Sequence, residues 1–579
     1  MTMLTKWGAA LDRSCPLPEY PRPQLRRESF YNLNGVWDYA VTPSGDEPGV
    51  WDGEIVVPFS PEAPLSGAAR GPAKDEYLHY RRGFTLPEGF QKSRVLLHFG
   101  AVDQIAEVFV NGVSAAKHSG GYWPFSADIT SLLREGENIL RVTVRDNADD
   151  PTFAYGKQRY KRGGMWYTAQ SGIWQTVWLE SVPEAYVKSL RITPEFDEAR
   201  VRIELETALE SSAAITCDVR AADGSFVAGS WAKGGVCVVP LPGFRAWTPD
   251  DPYLYTLDIS CGEDRVESYF AMRKFSYVEL GGHKVFGLNN VPLFHNGLLD
   301  QGYYPDGLLT PPSDEAMVND IETTKRCGFN MLRKHIKIEP LRWYYHCDRL
   351  GMIVWQDMVS GGQPYSFLHV SALPTLGKVD LPDQDAKPYG RSGVLSRARF
   401  RREMADTVRL LYNCPCIALW TVFNEGWGQF DALDMANELK KLDPTRFIDH
   451  ASGWQDQGYE EMKSRHIYFR PVKLKNDGRA LALTEYGGYI LAVDGHRWTD
   501  KVFGYRICRD SAALAHDYEK LMLGQVLPHI RKEGLTAAVY TQITDVEEEL
   551  NGLMTYDREV LKIPEETLRE INAALRFDA

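Results

Sequence analysis

The sequence predicts a chain of three parts, two β-sandwiches followed by a (β/α)8 TIM barrel. Three observations carry that reading. The 579 residues suffice for about three or four domains at roughly 100–200 residues each. Short β-branched runs broken by turn signals fill the first half. After about residue 276, apolar runs alternate with helical segments, the pattern of a parallel sheet with crossover helices.

The first part, 1–183, carries β runs at 35–39, 94–99, 106–110, 138–144 and 174–179, with Asn111-Gly112 and Gly120-Gly121 as turn signals. Many short strands without a helical period predict a jelly-roll β-sandwich. The second part, 184–275, alternates polar and apolar residues at 199–205 and 253–259. Its length suits an immunoglobulin-like sandwich. In the third part, 276–579, eight strand candidates read 293–298, 330–334, 352–356, 417–424, 447–450, 466–469, 481–485 and 538–542. Helical segments fall at 313–326, 339–350, 397–412, 429–441, 511–532 and 565–576. This is the grammar of an eight-stranded barrel. The Gly- and Pro-rich segment 360–396, after the third strand, is too long for a connector and is expected to shape a pocket on the catalytic face.

Composition removes several classes of function. With 44% hydrophobic and 12% aromatic residues the chain has material for large cores, so disorder is excluded. A formal charge of −13 argues against nucleic acid as a partner, since phosphate backbones are gripped by clustered Lys and Arg. No run approaches the ~20 apolar residues of a membrane span. The first residues lack the apolar core of a secretion signal. The nine cysteines are odd in number and scattered, which fits reduced thiols and a cytoplasmic location. Cys414-Pro-Cys416 has no second ligand pair at zinc spacing and is expected to be buried packing before a strand.

A barrel presents its reactive side chains at the C-terminal ends of its strands. Asn424 and Glu425 stand where the fourth apolar run stops, and Glu485 ends the seventh. Strands four and seven lie on opposite sides of a closed barrel, so the two carboxylates should face each other across its mouth. Glycoside hydrolysis needs such a pair, one group to protonate the leaving oxygen and one to attack the anomeric carbon.

Taken together, the motifs resemble glycoside hydrolase family 2, the family of β-galactosidases, β-glucuronidases and β-mannosidases. The resemblance rests on Leu33-Asn34-Gly35-Val36-Trp37, Val56-Val57-Pro58-Phe59, Val108-Phe109-Val110-Asn111-Gly112 and Ser171-Gly172-Ile173-Trp174-Gln175. In the barrel it rests on Gly328-Phe329-Asn330-Met331-Leu332-Arg333, Asn424-Glu425 and Glu485-Tyr486-Gly487. It implies a sugar-binding first domain and a retaining, exo-acting hydrolase of β-glycosides. Glu425 would be the general acid/base and Glu485 the nucleophile. Asn424 would contact the sugar 2-hydroxyl, Tyr468 would hydrogen-bond the nucleophile, and Arg333 is the cation expected beside it.

His335, Gln542, Trp454 and Trp498 are further candidates for holding the sugar, from a wider set including Trp355, Trp427, Tyr486, Tyr540, Lys337, Asp357 and Asp545. Glucuronidases of the family carry Asn-x-Lys before Gly-x-x-Thr-x-Asp-Arg. Here Gly552–Arg558 supplies the second segment, but Glu549-Leu550-Asn551 precedes it without a Lys. A Glu there would repel a uronate, so a neutral sugar is expected, galactoside first. Glucuronides rank second, and mannosides or arabinosides stay open. No cofactor or required metal is expected. The partner is a carbohydrate, and association into a homo-oligomer is left open. The competing class is a carbohydrate-binding protein without catalysis.

Overall fold

The computed structural model describes residues 3–209, 214–376 and 380–578. The first domain packs a four-stranded sheet (Phe30–Asn32, Val177–Val182, Arg94–Phe99, Phe125–Asp128) on a six-stranded one built around Tyr77–Thr85 and Glu137–Arg145. Alternating strand residues meet between the sheets, among them Trp37, Tyr80, Leu97, Val108, Val142 and Leu179, giving the expected jelly-roll sandwich. The second domain pairs three strands against four in an immunoglobulin-like sandwich. Its core includes Val201, Ile203, Cys217, Val219, Leu257 and Ile259.

The barrel strands are β1 His295–Asp300, β2 Met331–Lys334, β3 Ile353–Asp357, β4 Ile417–Thr421, β5 Phe447–Asp449, β6 Met462–Ile467, β7 Ala480–Gly487 and β8 Leu535–Thr541. They run parallel in the order β5-β4-β3-β2-β1-β8-β7-β6. The barrel is nearly closed, and among the described residues β5 and β6 share no ladder. The hairpin of Phe275–Leu280 and His283–Leu288 caps the lower end, with Phe286 stacked on Phe447 at 4.2 Å.

The sixth strand differs from expectation, starting at Met462 rather than 466. Lys463-Ser464-Arg465-His466 are four polar residues in a row, with Lys463 and Arg465 half-buried between buried neighbours, so no continuous apolar run marks the strand. The fourth ladder stops at Thr421, and residues 422–425 continue beyond it. There the Val422 N–H donates to the Asp449 carbonyl at 2.8 Å. Among the described residues, the β5–β6 and β6–β7 connections carry no helix.

Two segments close over the barrel mouth. Residues 360–396, of which 377–379 lie outside the described residues, reach the ends of β4 and β5. There the Gln455 side chain donates to the His369 carbonyl at 2.7 Å. A loop of the first sandwich docks from the other side. The N–H groups of Tyr155 and Gly156 both donate to the Ser360 carbonyl, at 3.1 and 2.9 Å. Thr168 N–H donates to Glu547 at 2.8 Å.

Candidate active site

The two carboxylates singled out in the sequence meet. One oxygen of Glu425, one of Glu485 and a ring nitrogen of His466 lie within 4.8 Å of one another. Glu425 follows the last ladder residue of β4 in the left-handed region, at φ 54°. A non-glycine residue is held there only by its surroundings. The Glu425 N–H donates to the Ser452 carbonyl at 2.9 Å, and its own carbonyl accepts the Trp454 indole N–H at 2.9 Å. The expected sugar-contact residue Trp454 therefore also fixes the backbone of Glu425.

Arg333, at the end of β2, is fully buried and ties the floor together. Its guanidinium donates to both oxygens of Asp357 (3.0 and 3.1 Å), to Glu485 (3.2 Å), to the Thr484 carbonyl (3.0 Å) and to the Asn424 side-chain oxygen (2.8 Å). With its oxygen held by Arg333, Asn424 has its amide N–H2 to offer a ligand. Tyr468 donates to the second oxygen of Glu485 at 2.5 Å and stacks on Tyr505 with ring centres 3.8 Å apart. His335 stands with Nε2 3.6 Å from Glu485.

Burial raises both carboxyls. Burial pushes Glu425 up to about 7, against the pull of Lys157 and Arg333. Burial also raises Glu485, with the Glu425 charge adding to it. His466, Arg333 and the Tyr468 hydroxyl pull it back down. Burial moves His335 far below the ordinary histidine range and His466 down to about 3, so both imidazoles are neutral.

Other expected residues sort into pocket and scaffold. Gln542 is buried and donates to Asn551 at 2.8 Å, leaving its own oxygen and the Asn551 amide nitrogen without partners. His335 Nε2 and the Trp427 indole N–H are likewise buried and unpartnered. Trp498 stands at the rim, its ring beneath the Arg162 guanidinium at 4.2 Å. Lys337 is scaffold, donating to two backbone carbonyls and Glu339. Asp545 pairs with Lys562 at 2.6 Å. Trp355 donates into the barrel interior, to His295 at 3.0 Å. Tyr486 and Tyr540 are buried and packed edge to face. Glu549 is buried and accepts a very short hydrogen bond from Tyr167 of the first domain.

Three site residues were missed in the sequence. His466 could have been found, because it lies two residues before Tyr468 and that spacing places both on one face of an extended segment. Lys157 and Trp166 belong to the first sandwich, and nothing local in the sequence points them at the barrel. Lys157 is nine-tenths buried, and its charge acts on Glu425, Glu549, His335 and His466. Among the described residues no carboxylate lies within salt-bridge distance of it.

A metal could be held by Glu425, His466 and Glu485, or at the rim by His496, Asp557 and Glu559, whose donor atoms also lie within 4.8 Å of one another. No helix among the described residues is long and apolar enough to cross a membrane.

Two sandwiches and a barrel whose mouth holds facing carboxylates define a class of carbohydrate-active architecture. Three family models match in that order: the family 2 sugar-binding domain over residues 64–183, the family 2 middle domain over 185–273 and the family 2 TIM barrel over 312–474. The chain belongs to glycoside hydrolase family 2. A β-galactosidase of Thermoanaerobacter pseudethanolicus is 25% identical over 63% of this chain and 47% of its own length. Human β-glucuronidase is 23% identical over 66% of this chain and 61% of its own length. The chain thus spans about half the length of the curated relatives it matches. Among solved structures, a Bifidobacterium dentium β-glucuronidase superposes with a TM-score of 0.74 at 18% identity, covering 95% of this chain and 98% of that one. An Eisenbergiella tayi β-galacturonidase superposes at 0.71 and 18%, covering 96% and 99%.

Proposed function

We propose that the chain is a retaining, exo-acting glycosidase that cleaves terminal β-glycosides by double displacement. The spacing of Glu425 and Glu485 supports this most directly. Oxygens within 4.8 Å suit the roughly 5–5.5 Å carboxyl separation of retaining enzymes and leave no room for the water of an inverting one, which needs about 6.5–9.5 Å. Glu485 attacks the anomeric carbon while Glu425 gives its proton to the departing oxygen. Glu425 then takes a proton from the water that displaces Glu485. Arg333 and Tyr468 hold Glu485 as the nucleophile. The Asn424 amide faces the 2-hydroxyl, whose hydrogen bond tightens as positive charge develops on the ring.

A neutral β-galactoside is the sugar favoured by the Glu549-Leu550-Asn551 triplet, which has a buried carboxylate at Glu549 and Asn551 where family glucuronidases carry Lys. A β-glucuronide is the second reading, and Lys157 favours it. A buried ammonium without a carboxylate partner suits an anionic sugar, and burial raises the Glu549 carboxyl toward its neutral form. The names of the relatives support both.

A panel of nitrophenyl β-galactoside, glucoside, mannoside, arabinoside and glucuronide decides the sugar. NMR of the first-formed product decides the stereochemistry. The β-anomer is expected; the α-anomer would refute double displacement. Glu485→Gln is expected to abolish turnover, and substantial remaining activity would remove Glu485 from the nucleophile's role.

A further inference from the structure

A second cluster of donor atoms stands apart from the catalytic pair, at the outer rim of the mouth. His496 lies on the loop that follows β7, and Asp557 and Glu559 lie on the turn that follows β8. One ring nitrogen of His496 and one carboxylate oxygen from each of the others lie within 4.8 Å of one another. His496 Nδ1 is 2.8 Å from Asp557 Oδ2 and 3.7 Å from Glu559 Oε2.

The turn holds its two acids in place by its own hydrogen bonds. Thr555 N–H donates to the Val560 carbonyl at 3.0 Å, and Val560 N–H returns to Thr555 Oγ1 at 3.1 Å. Asp557 Oδ1 accepts the Thr555 hydroxyl at 2.6 Å and the Glu559 N–H at 3.2 Å. The carboxylate is thereby fixed, with Oδ2 turned to His496. Arg558 stands between the two acids in sequence but does not neutralise them. It takes a left-handed φ of 64°, and its guanidinium donates to the Tyr303 carbonyl at 2.7 Å and to Asp320 at 3.2 Å. Among the described residues no Lys or Arg lies within salt-bridge distance of Asp557 or Glu559, and His496 is the one basic group facing both.

We propose that His496, Asp557 and Glu559 hold a divalent transition-metal ion of the zinc or manganese class. An imidazole nitrogen with two carboxylate oxygens suits such ions, whereas calcium and magnesium take oxygen donors. Metal–ligand bonds of about 2.0–2.2 Å place neighbouring donors roughly 3–3.5 Å apart. His496 and Asp557 therefore part slightly on binding, Glu559 closes in, and water completes the shell on the solvent side. The ion ties two loops of the mouth together. The loop bearing His496 also carries Trp498, beneath Arg162 at 4.2 Å, and Tyr505, stacked on Tyr468 at 3.8 Å. Without the ion, the 2.8 Å contact between His496 and Asp557 keeps the loops joined, so the ion adds order to the rim and takes no part in the chemistry. The site goes beyond the glycosidase reading and does not depend on it.

The test uses the whole chain carrying Glu425→Gln, so that Glu425, His466 and Glu485 no longer offer a competing triad. After chelator treatment, zinc chloride and manganese chloride are titrated in separate calorimetry runs. One ion per chain is expected, bound at least ten-fold more weakly when His496→Gln or Glu559→Gln is added. Both positions reach solvent, and circular dichroism checks that each variant folds. Spin-echo spectroscopy of the manganese-loaded chain should show one histidine nitrogen, lost in His496→Gln. Arg497 and Lys501 are trypsin sites on the same loop. Cleavage there should slow with zinc in the parent and not in His496→Gln. No binding at roughly 1 mM of either ion, or equal affinity in the parent and both variants, would overturn the site. Binding that leaves trypsin cleavage unchanged would overturn the tie between the loops.

Discussion

Tyr468→Phe removes one oxygen from the site and little else. The ring stays stacked on Tyr505 at 3.8 Å, so packing is kept. The hydroxyl's 2.5 Å donation to Glu485 is lost, together with its 3.1 Å contact with Thr541 Oγ1. Hydrogen bonds to charged groups contribute about 1.5–3 kcal/mol, and each 1.4 kcal/mol is a factor of ten in rate or about one pKa unit. The hydroxyl favours the ionised carboxylate, so its removal raises the Glu485 pKa. The acid limb of kcat/KM should then move up by about one to two pH units, with the loss greatest at low pH and fading as pH rises. Glu485 is also the leaving group of the second step. With an activated aryl glycoside, where that step limits, kcat should fall about 10- to 100-fold on the same scale. Stopped-flow release of nitrophenol, read as burst against steady state over a pH series, separates the two effects. An acid limb and a steady-state kcat both within two-fold of wild type would refute the claim that Tyr468 holds an ionised nucleophile.

Glu425→Gln should make the protein more stable at pH 8 but not at pH 4. The folded pKa is raised from 4.5 to about 7, so this group's contribution is fully present below the unfolded value and lost as pH rises through the folded one. That amounts to about 3 kcal/mol, seen as a higher urea midpoint at pH 8. Arg333→Met leaves Asp357 and Glu485 buried without their cation and should cost about 3–5 kcal/mol in a urea melt as well as all measurable turnover. Lys157→Met should raise KM for a glucuronide at least ten-fold while changing a galactoside little if the anionic reading holds; equal effects on both would place Lys157 on a shared hydroxyl. Dialysis against a chelator should leave activity intact, and loss restored by magnesium would show that the Glu425–His466–Glu485 donors hold a cation.

The barrel was legible because seven of its strands are buried throughout and several, such as Ile353-Val354-Trp355 of β3 and Ile417-Ala418-Leu419-Trp420 of β4, read as continuous apolar runs, the pattern of a parallel sheet covered by helices. The sixth was misplaced because Lys463 to His466 of β6 are all polar, so no apolar run marks it. Glu425, Glu485 and Arg333 were legible because each ends a strand, where the fold itself aims side chains at the mouth. Lys157 and Trp166 were not. Their approach to the pocket depends on the docking of one domain on another through Ser360 and Glu547, a contact with no local periodicity.

Neither burial nor the pairing of a carboxylate separates scaffold from candidate chemistry here, since Glu485 accepts from Arg333 and Tyr468 much as Asp357 accepts from Arg333. Asp357, Asp545 and Glu485 are all buried, as are many others. Asp357 takes two guanidinium hydrogens from Arg333, and Asp545 takes the Lys562 ammonium together with the Gly552 N–H. Groups around the mouth are left partly unmet: His335 Nε2, the Trp427 indole N–H, the Gln542 oxygen and the Asn551 amide. Sugar hydroxyl groups can partner these atoms, each hydrogen bond contributing about 0.5–1.5 kcal/mol net. A monosaccharide has acceptors and donors in alternation around its ring, which matches this mixed set where a purely apolar or purely charged ligand would not. Binding of the cognate sugar should therefore raise the melting temperature by more than its contact area suggests.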